Sequence, residues 1–150
     1  MKEEIKTIIV SGFPGTGKSH YVNYGEGSGY MPQGFAIDSD SSKFDKSNFP
    51  CNYIEHIKSN IGKVKIIFVS SHKEVREAMV KNNIPFTLAY PNKSIKIEYI
   101  KRYVDRGSSV SFIDLIYKNW DNWLNELQAQ KKCKHLVLNE GEYLSTALKL

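Results

Sequence analysis

The sequence predicts an α/β protein: a mainly parallel five-stranded sheet with helices on both sides. Short β-branched runs alternate with segments of helical period, the pattern of strands joined by crossover helices. The runs are short and apolar, as strands buried on both faces are. A glycine-rich turn of the phosphate-binding type stands between the first run and the first helical segment. The chain has 150 residues, 41% hydrophobic and 25% charged, which fits one globular domain and excludes a disordered or fibrous chain. Folding at this length buries roughly 68–70% of the unfolded surface, so a core forms without disulfide or metal staples.

Strands are expected at residues 7–11, 35–37, 64–70, 86–90 and 135–138, where runs such as Ile66-Ile67-Phe68-Val69 lie between polar or glycine-bearing segments. Helices are expected at 17–23, 52–61, 72–82, 94–106 and 111–130, with a last piece from Glu142 onward. The segment 24–34 carries Gly25, Gly27, Gly29, Gly34 and Pro32 with little apolar content, and reads as a mobile connection. In 111–130 the residues Phe112, Ile116, Trp120, Trp123, Leu124 and Leu127 recur at steps of one to four along one stripe. That stripe makes both tryptophans core residues, the alternative being a stacking platform for a base. Tyr21, Phe44 and Tyr53 suit a pocket, the core or the surface equally.

Twenty-one Lys and Arg against 16 Asp and Glu give a net charge of +5, a bias toward polyanionic partners. The basic residues are dispersed, so a nucleic-acid arm is not indicated. No apolar stretch approaches the roughly 20 residues that cross a bilayer, and Met1-Lys2-Glu3-Glu4 opens no signal peptide. A cytoplasmic protein with no membrane partner is expected. Cys51 and Cys133 lack CxxC partners and read as reduced, unpaired thiols. Asn92-Lys93-Ser94 matches a glycosylation acceptor that has no role without secretion.

Gly12-Phe13-Pro14-Gly15-Thr16-Gly17-Lys18-Ser19 matches G-x-x-x-x-G-K-[ST] in full, between an expected strand and an expected helix. The glycines let the backbone turn tightly and aim amides at phosphate oxygens, and the helix adds its positive end. Lys18 is expected at the β- and γ-phosphates, and Ser19 on a magnesium ion bridging them. Triphosphate binding follows.

Asp38-Ser39-Asp40-Ser41-Ser42-Lys43 leaves the second strand at its carboxyl end, the edge where such sheets bind ligands. Two carboxylates there divide two tasks: Asp40 is expected as the base that takes a proton from an attacking hydroxyl, and Asp38 as the ligand of magnesium-bound water. The assignments are exchangeable, and the same residues also suit a turn and helix cap.

The third strand delivers Ser70-Ser71-His72 where many phosphate-binding loops are matched by a Walker B aspartate. That aspartate is absent. Ser70 suits magnesium-bound water or substrate, while Ser71, three residues before Glu74, is expected to cap the helix. His72 and Arg76, one turn apart, either touch the acceptor or face solvent. Further on, Arg102 and Arg106 at i and i+4 share one side of a helix that Gly107 ends, with Ile97, Ile100 and Val104 on the opposite, buried side. Two guanidiniums projected together stabilise charge on a transferring phosphoryl group. The alternative is a surface pair bound to Asp105 or Glu98.

Taken together, the P-loop, a strand ending in Asp-x-Asp and a late R-x-x-x-R-G helix resemble the small P-loop nucleoside and nucleotide kinases. They also resemble the kinase domain of phage-type polynucleotide kinases and the small accessory kinases of phages. The resemblance implies a three-layer α/β/α P-loop kinase fold, ATP as γ-phosphoryl donor, Mg2+, an acidic base after the second strand and lid arginines. Lys18, Ser19, Asp40, Arg102 and Arg106 occupy the matching places, and Lys43 follows the base as in polynucleotide kinases. The usual acidic residue after the third strand is missing, which leaves magnesium coordination and the acceptor pocket undetermined. Expected substrate-side residues are Asp38, Lys43, His72 and Arg76.

The expected activity is ATP-dependent phosphoryl transfer to a nucleoside or deoxynucleoside monophosphate. Two alternatives stay open: a kinase acting on a 5′-hydroxyl or modified base in DNA, and an ATP-binding sensor without transfer.

Overall fold

The computed structural model describes residues 6–18, 21, 36–39 and 44–148. Its strands are β1 (Ile8–Gly12), β2 (Ala36–Asp38), β3 (Ile66–Ser70), β4 (Thr87–Pro91) and β5 (Lys134–Leu138). They hydrogen-bond in the order β2-β3-β1-β4-β5, and every pair is parallel. The chain turns to one side of β1 for β2 and β3 and to the other for β4 and β5. This reversal opens a crevice beyond the carboxyl end of β1, the place where open α/β sheets bind ligands.

Five helices follow: α1 (Cys51–Asn60), α2 (Lys73–Lys81), α3 (Lys96–Asp105), α4 (Val110–Gln128) and α5 (Leu144–Ala147). Of the expected helix at 17–23 the described residues are Gly17, Lys18 and Tyr21, and the Tyr21 amide donates to Gly17 O at 2.9 Å, the i to i−4 bond of a helix. The expected connection at 24–34 lies outside the described residues.

Alternation along the strands sorts the core into two layers. Ile9, Ile67, Leu88 and Tyr90 face α1 to α4 through Ile57, Met79, Tyr99 and Trp120. Val10, Ile66, Phe68 and Ala89 face the other way, against Tyr21 and Leu144. A fully buried large apolar side chain contributes about 1.5–3 kcal/mol, so Ile116, Trp120, Leu124 and Leu127 together hold α4 firmly to the sheet. Ser109 caps that helix, its hydroxyl accepting from the Phe112 amide at 3.2 Å.

Three expectations are corrected. β5 is not buried on both faces: it lies at the sheet edge, paired only with β4, and Lys134 and His135 are exposed. In α3 the buried side belongs to Tyr99 and Tyr103, whereas Ile97 is 73% and Val104 58% exposed. The tyrosines win this side because their rings pack into the core while the Tyr103 hydroxyl still reaches a partner, Pro14 O, at 2.7 Å. Ser71 does not cap α2. The N-cap is His72, with no side-chain cap bond, and the Ser71 carbonyl instead accepts from Arg76 Nε at 2.8 Å. Gly107 does end α3: at φ 80° it lets its own amide reach Val104 O and the Ser108 amide reach Tyr103 O.

Candidate active site

The glycine-rich loop after β1 has its carbonyls drawn outward one by one. Lys18 Nζ donates to Gly12 O (2.6 Å), Thr16 Oγ1 to Phe13 O (2.7 Å) and the Tyr103 hydroxyl to Pro14 O (2.7 Å). Arg102 Nη1 donates to Gly15 O (2.8 Å), and the Leu144 amide to Thr16 O (2.9 Å). Among the described residues no acceptor stands against the Gly15 and Gly17 amides. With five carbonyls engaged, two by the loop's own Lys18 and Thr16 and three by Tyr103, Arg102 and Leu144, those amides are left for an anion, the chemistry of a phosphate nest.

Two of the glycines are required by conformation and by space. Gly15 sits at φ +89°, and a Cβ there would lie 2.9 Å from Tyr103 Cε1. Gly17 sits at φ +97°, where a Cβ would press on the Tyr143 ring at 3.2 Å. Both belong to the left-handed region that disfavours other residues.

Arg102 and Arg106 have different surroundings. The Arg102 side chain is only 9% exposed. It lies between the Tyr99 and Tyr143 rings, 4.3 and 3.8 Å from their centroids, and also donates to Glu98 (2.9 Å) and Glu142 O (2.9 Å). Glu98 in turn accepts from the Gly141 amide at 3.0 Å, tying the segment after β5 to α3. Arg102 is thus committed to the loop's backbone, and the two guanidiniums do not project together as the i, i+4 spacing led us to expect. Arg106 is exposed, lies 5.0 Å from the Tyr103 ring centroid and donates to Ser108 Oγ at 2.9 Å. Burial pushes the Tyr99 hydroxyl up to about 12, opposed by the neighbouring Arg102 charge, and burial raises Tyr103 as well.

The second and third strands end beside this loop. Gly12 is in register with Ser70, and Asp38 with Phe68, so Asp38, Ser39 and Ser70 occupy one edge. The buried Tyr53 hydroxyl joins the two strand ends, donating to Ser39 O and accepting from the Ser70 amide at 3.3 Å. Ser39 Oγ and His56 Nε2 stand 2.8 Å apart, and the Ser39 amide donates to Phe68 O at 2.8 Å. Ser70 Oγ is buried without a hydrogen-bond partner among the described residues.

A cavity of about 1100 Å³ unites these parts. Gly12, Phe13, Pro14, Gly15, Gly17 and Lys18 line it, and so do Asp38, Ser70, His72, Arg76, Arg102 and Arg106. Asp40, Lys43 and Ser19 lie outside the described residues. Thr16 is buried beneath the loop. Tyr21 and Tyr53 are core, and Phe44 packs against Tyr53, so none of the three faces the cavity.

Arg76 is not solvent-facing. It is 2% exposed and holds α2 to α4, donating to Gln130 Oε1 (2.6 Å) and pairing with Glu126. Sequence reasoning missed Phe112, Trp123, Glu126 and Tyr143 as cavity walls. Trp123 was readable only as one member of the α4 stripe; the structure divides that stripe between core Trp120 and cavity-facing Trp123. Cys51 and Cys133 are free thiols. No described helix is long and apolar enough to cross a membrane.

No family model and no curated protein sequence matches the chain. Among solved structures, polyphosphate kinase 2 from Arthrobacter aurescens TC1 superposes with a TM-score of 0.56 at 11% identity, over 89% of this chain and 61% of that one. The chain has the P-loop kinase fold. A gluconokinase from Sinorhizobium meliloti 1021 gives a TM-score of 0.47 at 13% identity, covering 98% of this chain and 89% of that one. The P-loop kinase fold places the glycine-rich loop, Asp38 and Ser70 at one sheet edge, the arrangement the register requires.

Proposed function

We propose that the protein transfers the γ-phosphoryl group of ATP to a nucleoside or deoxynucleoside monophosphate. The observation that carries this reading is the loop whose carbonyls from Gly12 to Thr16 are all engaged, opening into the cavity that Asp38, Ser70 and Arg106 also line. Ligand pockets span roughly 300–1,000 Å³, and this cavity of about 1100 Å³ lies at the top of that range.

The residues present fit a magnesium nucleotide. Gly12, Gly15 and Gly17 let the loop pass close to Lys18, Tyr103 and Tyr143 where a Cβ would press on those side chains, and the orphaned Ser70 hydroxyl and Asp38 supply the hard oxygen donors that suit a hydrated magnesium ion. Among the described residues no cluster of three His, Cys, Asp or Glu side chains could hold a metal; in this reading the Ser19 hydroxyl would hold the ion, with Asp38 and Ser70 on its waters. The ion they would hold would supply positive charge against the phosphates.

In this reading the Gly15 and Gly17 amides fix the phosphates. Lys18 moves from Gly12 O to the β- and γ-phosphates. Asp40 orients the attacking oxygen, taking its proton where the acceptor is a nucleoside hydroxyl, and as that oxygen bonds to the γ-phosphorus in line the bond from phosphorus to the β–γ bridging oxygen breaks and ADP leaves. Arg106, exposed at the cavity, meets charge on the migrating group, while Arg102 holds the loop rigid.

Incubation with γ-labelled ATP and magnesium against nucleosides, deoxynucleoside monophosphates, 5′-hydroxyl DNA, base-modified DNA and polyphosphate tests the proposal. Label on a nucleoside or deoxynucleoside monophosphate is the expected result, and Asp40→Asn is expected to suppress it while sparing ATP binding. Label on DNA or polyphosphate alone, or ATP binding without transfer to any acceptor, would contradict the reading.

A further inference from the structure

The cavity has a second, chemically distinct end. The segment Ser70 to Arg76 runs from the sheet edge along its wall, with Ser70, Ser71, His72, Lys73 and Arg76 all lining it. Beyond them the wall becomes apolar, built by Ile116, Trp123 and Leu127 of α4, while Phe112 lies at the other end of that helix against the Tyr103 ring and Arg106. Apolar surface left open beside a phosphate cradle forgoes burial at about 25 cal/mol per Å², and a concave apolar site with a few fixed polar groups is the usual form of a ligand pocket.

The polar groups at this end are Arg76 and Glu126. The Arg76 guanidinium carries five N–H donors and spends three, on Ser71 O, Gln130 Oε1 and Glu126 Oε1. The remaining two have no partner among the described residues, and neither has Glu126 Oε2, on a carboxylate that is 45% exposed. Fixed donors beside a free acceptor complement the edge of a heterocycle that carries a ring nitrogen or carbonyl next to an N–H. Flat aromatic and aliphatic walls complement its faces.

We infer that the α2–α4 end of the cavity is a nucleobase pocket, with Trp123 against the base and the Arg76–Glu126 pair reading its edge. The pocket belongs to the acceptor, because its wall is continuous with the Ser70 and Asp38 edge. Arg102 and Tyr143, by contrast, flank the loop elsewhere. The identity of the ligand as acceptor rests on the phosphotransfer reading; its binding is measured without ATP.

The test titrates deoxynucleosides, and ribose 5-phosphate as the base-free control, against tryptophan fluorescence in wild type, Trp123→Phe and Glu126→Gln. The amide oxygen that Glu126→Gln introduces still accepts from Arg76, so this variant keeps the tie between the helices. Expected are quenching by at least one deoxynucleoside but not by ribose 5-phosphate, loss of that signal in Trp123→Phe, and about tenfold weaker binding in Glu126→Gln, the scale of a lost hydrogen bond to a charged group. Calorimetry follows binding where the fluorophore is gone, and ATP affinity is expected to hold in both variants. The inference is overturned by quenching that survives in Trp123→Phe, by equal response to ribose 5-phosphate, by no deoxynucleoside binding, or by variants that weaken ATP instead. Deoxynucleoside binding with no phosphoryl transfer would sink the activity and leave the pocket standing.

Discussion

Arg102 Nη1 donates to the Gly15 carbonyl at 2.8 Å, across 87 residues of chain. A guanidinium that sequence spacing offers to a phosphate is instead spent on the backbone of the phosphate loop. Because Arg102 is also held by Glu98 and sandwiched between Tyr99 and Tyr143, it transmits the positions of α3 and of the segment after β5 to the cradle. Arg102→Lys keeps the charge but loses the planar fork and the stacking. We expect the KM for ATP to rise about tenfold, the scale of one charged hydrogen bond, with kcat changing less.

Arg106→Ala should show the opposite split. Among the described residues its side chain meets Ser108 and the Tyr103 and Phe112 rings rather than the loop's carbonyls. In steady-state kinetics kcat should fall on the order of 10³-fold, as for a lost arginine finger, with ATP affinity nearly unchanged.

Gly15→Ala and Gly62→Ala separate space from conformation. Both glycines have φ near +89°, but only at Gly15 does a Cβ collide, with Tyr103, whereas at Gly62 nothing lies within 4 Å. Gly62→Ala should cost about 1–2 kcal/mol, read as a melting shift of roughly 2–8 °C, with ATP binding intact. Gly15→Ala should lower the melting temperature further and abolish ATP binding.

Tyr53→Phe removes the hydroxyl that joins Ser39 O to the Ser70 amide. Two backbone groups lose a partner, so denaturant unfolding should report a loss of about 1–3 kcal/mol. The end of β2 that carries Asp38 should also lose its fixed position, lowering kcat.

Alkaline stability follows from burial of the α3 tyrosines. Tyr99 ionises at 10.0 when unfolded and about 12 when folded, so the folded state keeps a proton that the unfolded state has released. Stability is fully present below pH 10 and falls as pH rises from 10 towards 12. Unfolding free energies measured from about pH 8 to 12 should show that fall, and Tyr99→Phe should make it shallower while Tyr103, also raised by burial, keeps the rest.

The sheet was legible because its signal is local. Runs such as Ile66 to Val69 between polar segments mark strands wherever they occur, and each observed strand lies within two residues of its expected range. The phosphate loop was legible for the same reason, its glycines lying within six residues. The α3 helix shows where local reading stops. Periodicity alone makes Ile97 and Val104 as apolar as Tyr99 and Tyr103, and what decides between them is Pro14, far along the chain, offering a carbonyl to Tyr103. The cavity walls had no local signal either, since Trp123 and Trp120 sit on one apolar stripe and only the packing of α4 against the sheet through Ile116, Trp120, Leu124 and Leu127 separates them.

The account rests on the cradle, and its most direct test is calorimetric binding of Mg-ATP to wild type and Lys18→Ala. One ATP per chain for wild type and at least a hundredfold weaker binding for the variant is the predicted result. No saturable binding by wild type, or equal affinity in Lys18→Ala, would contradict it.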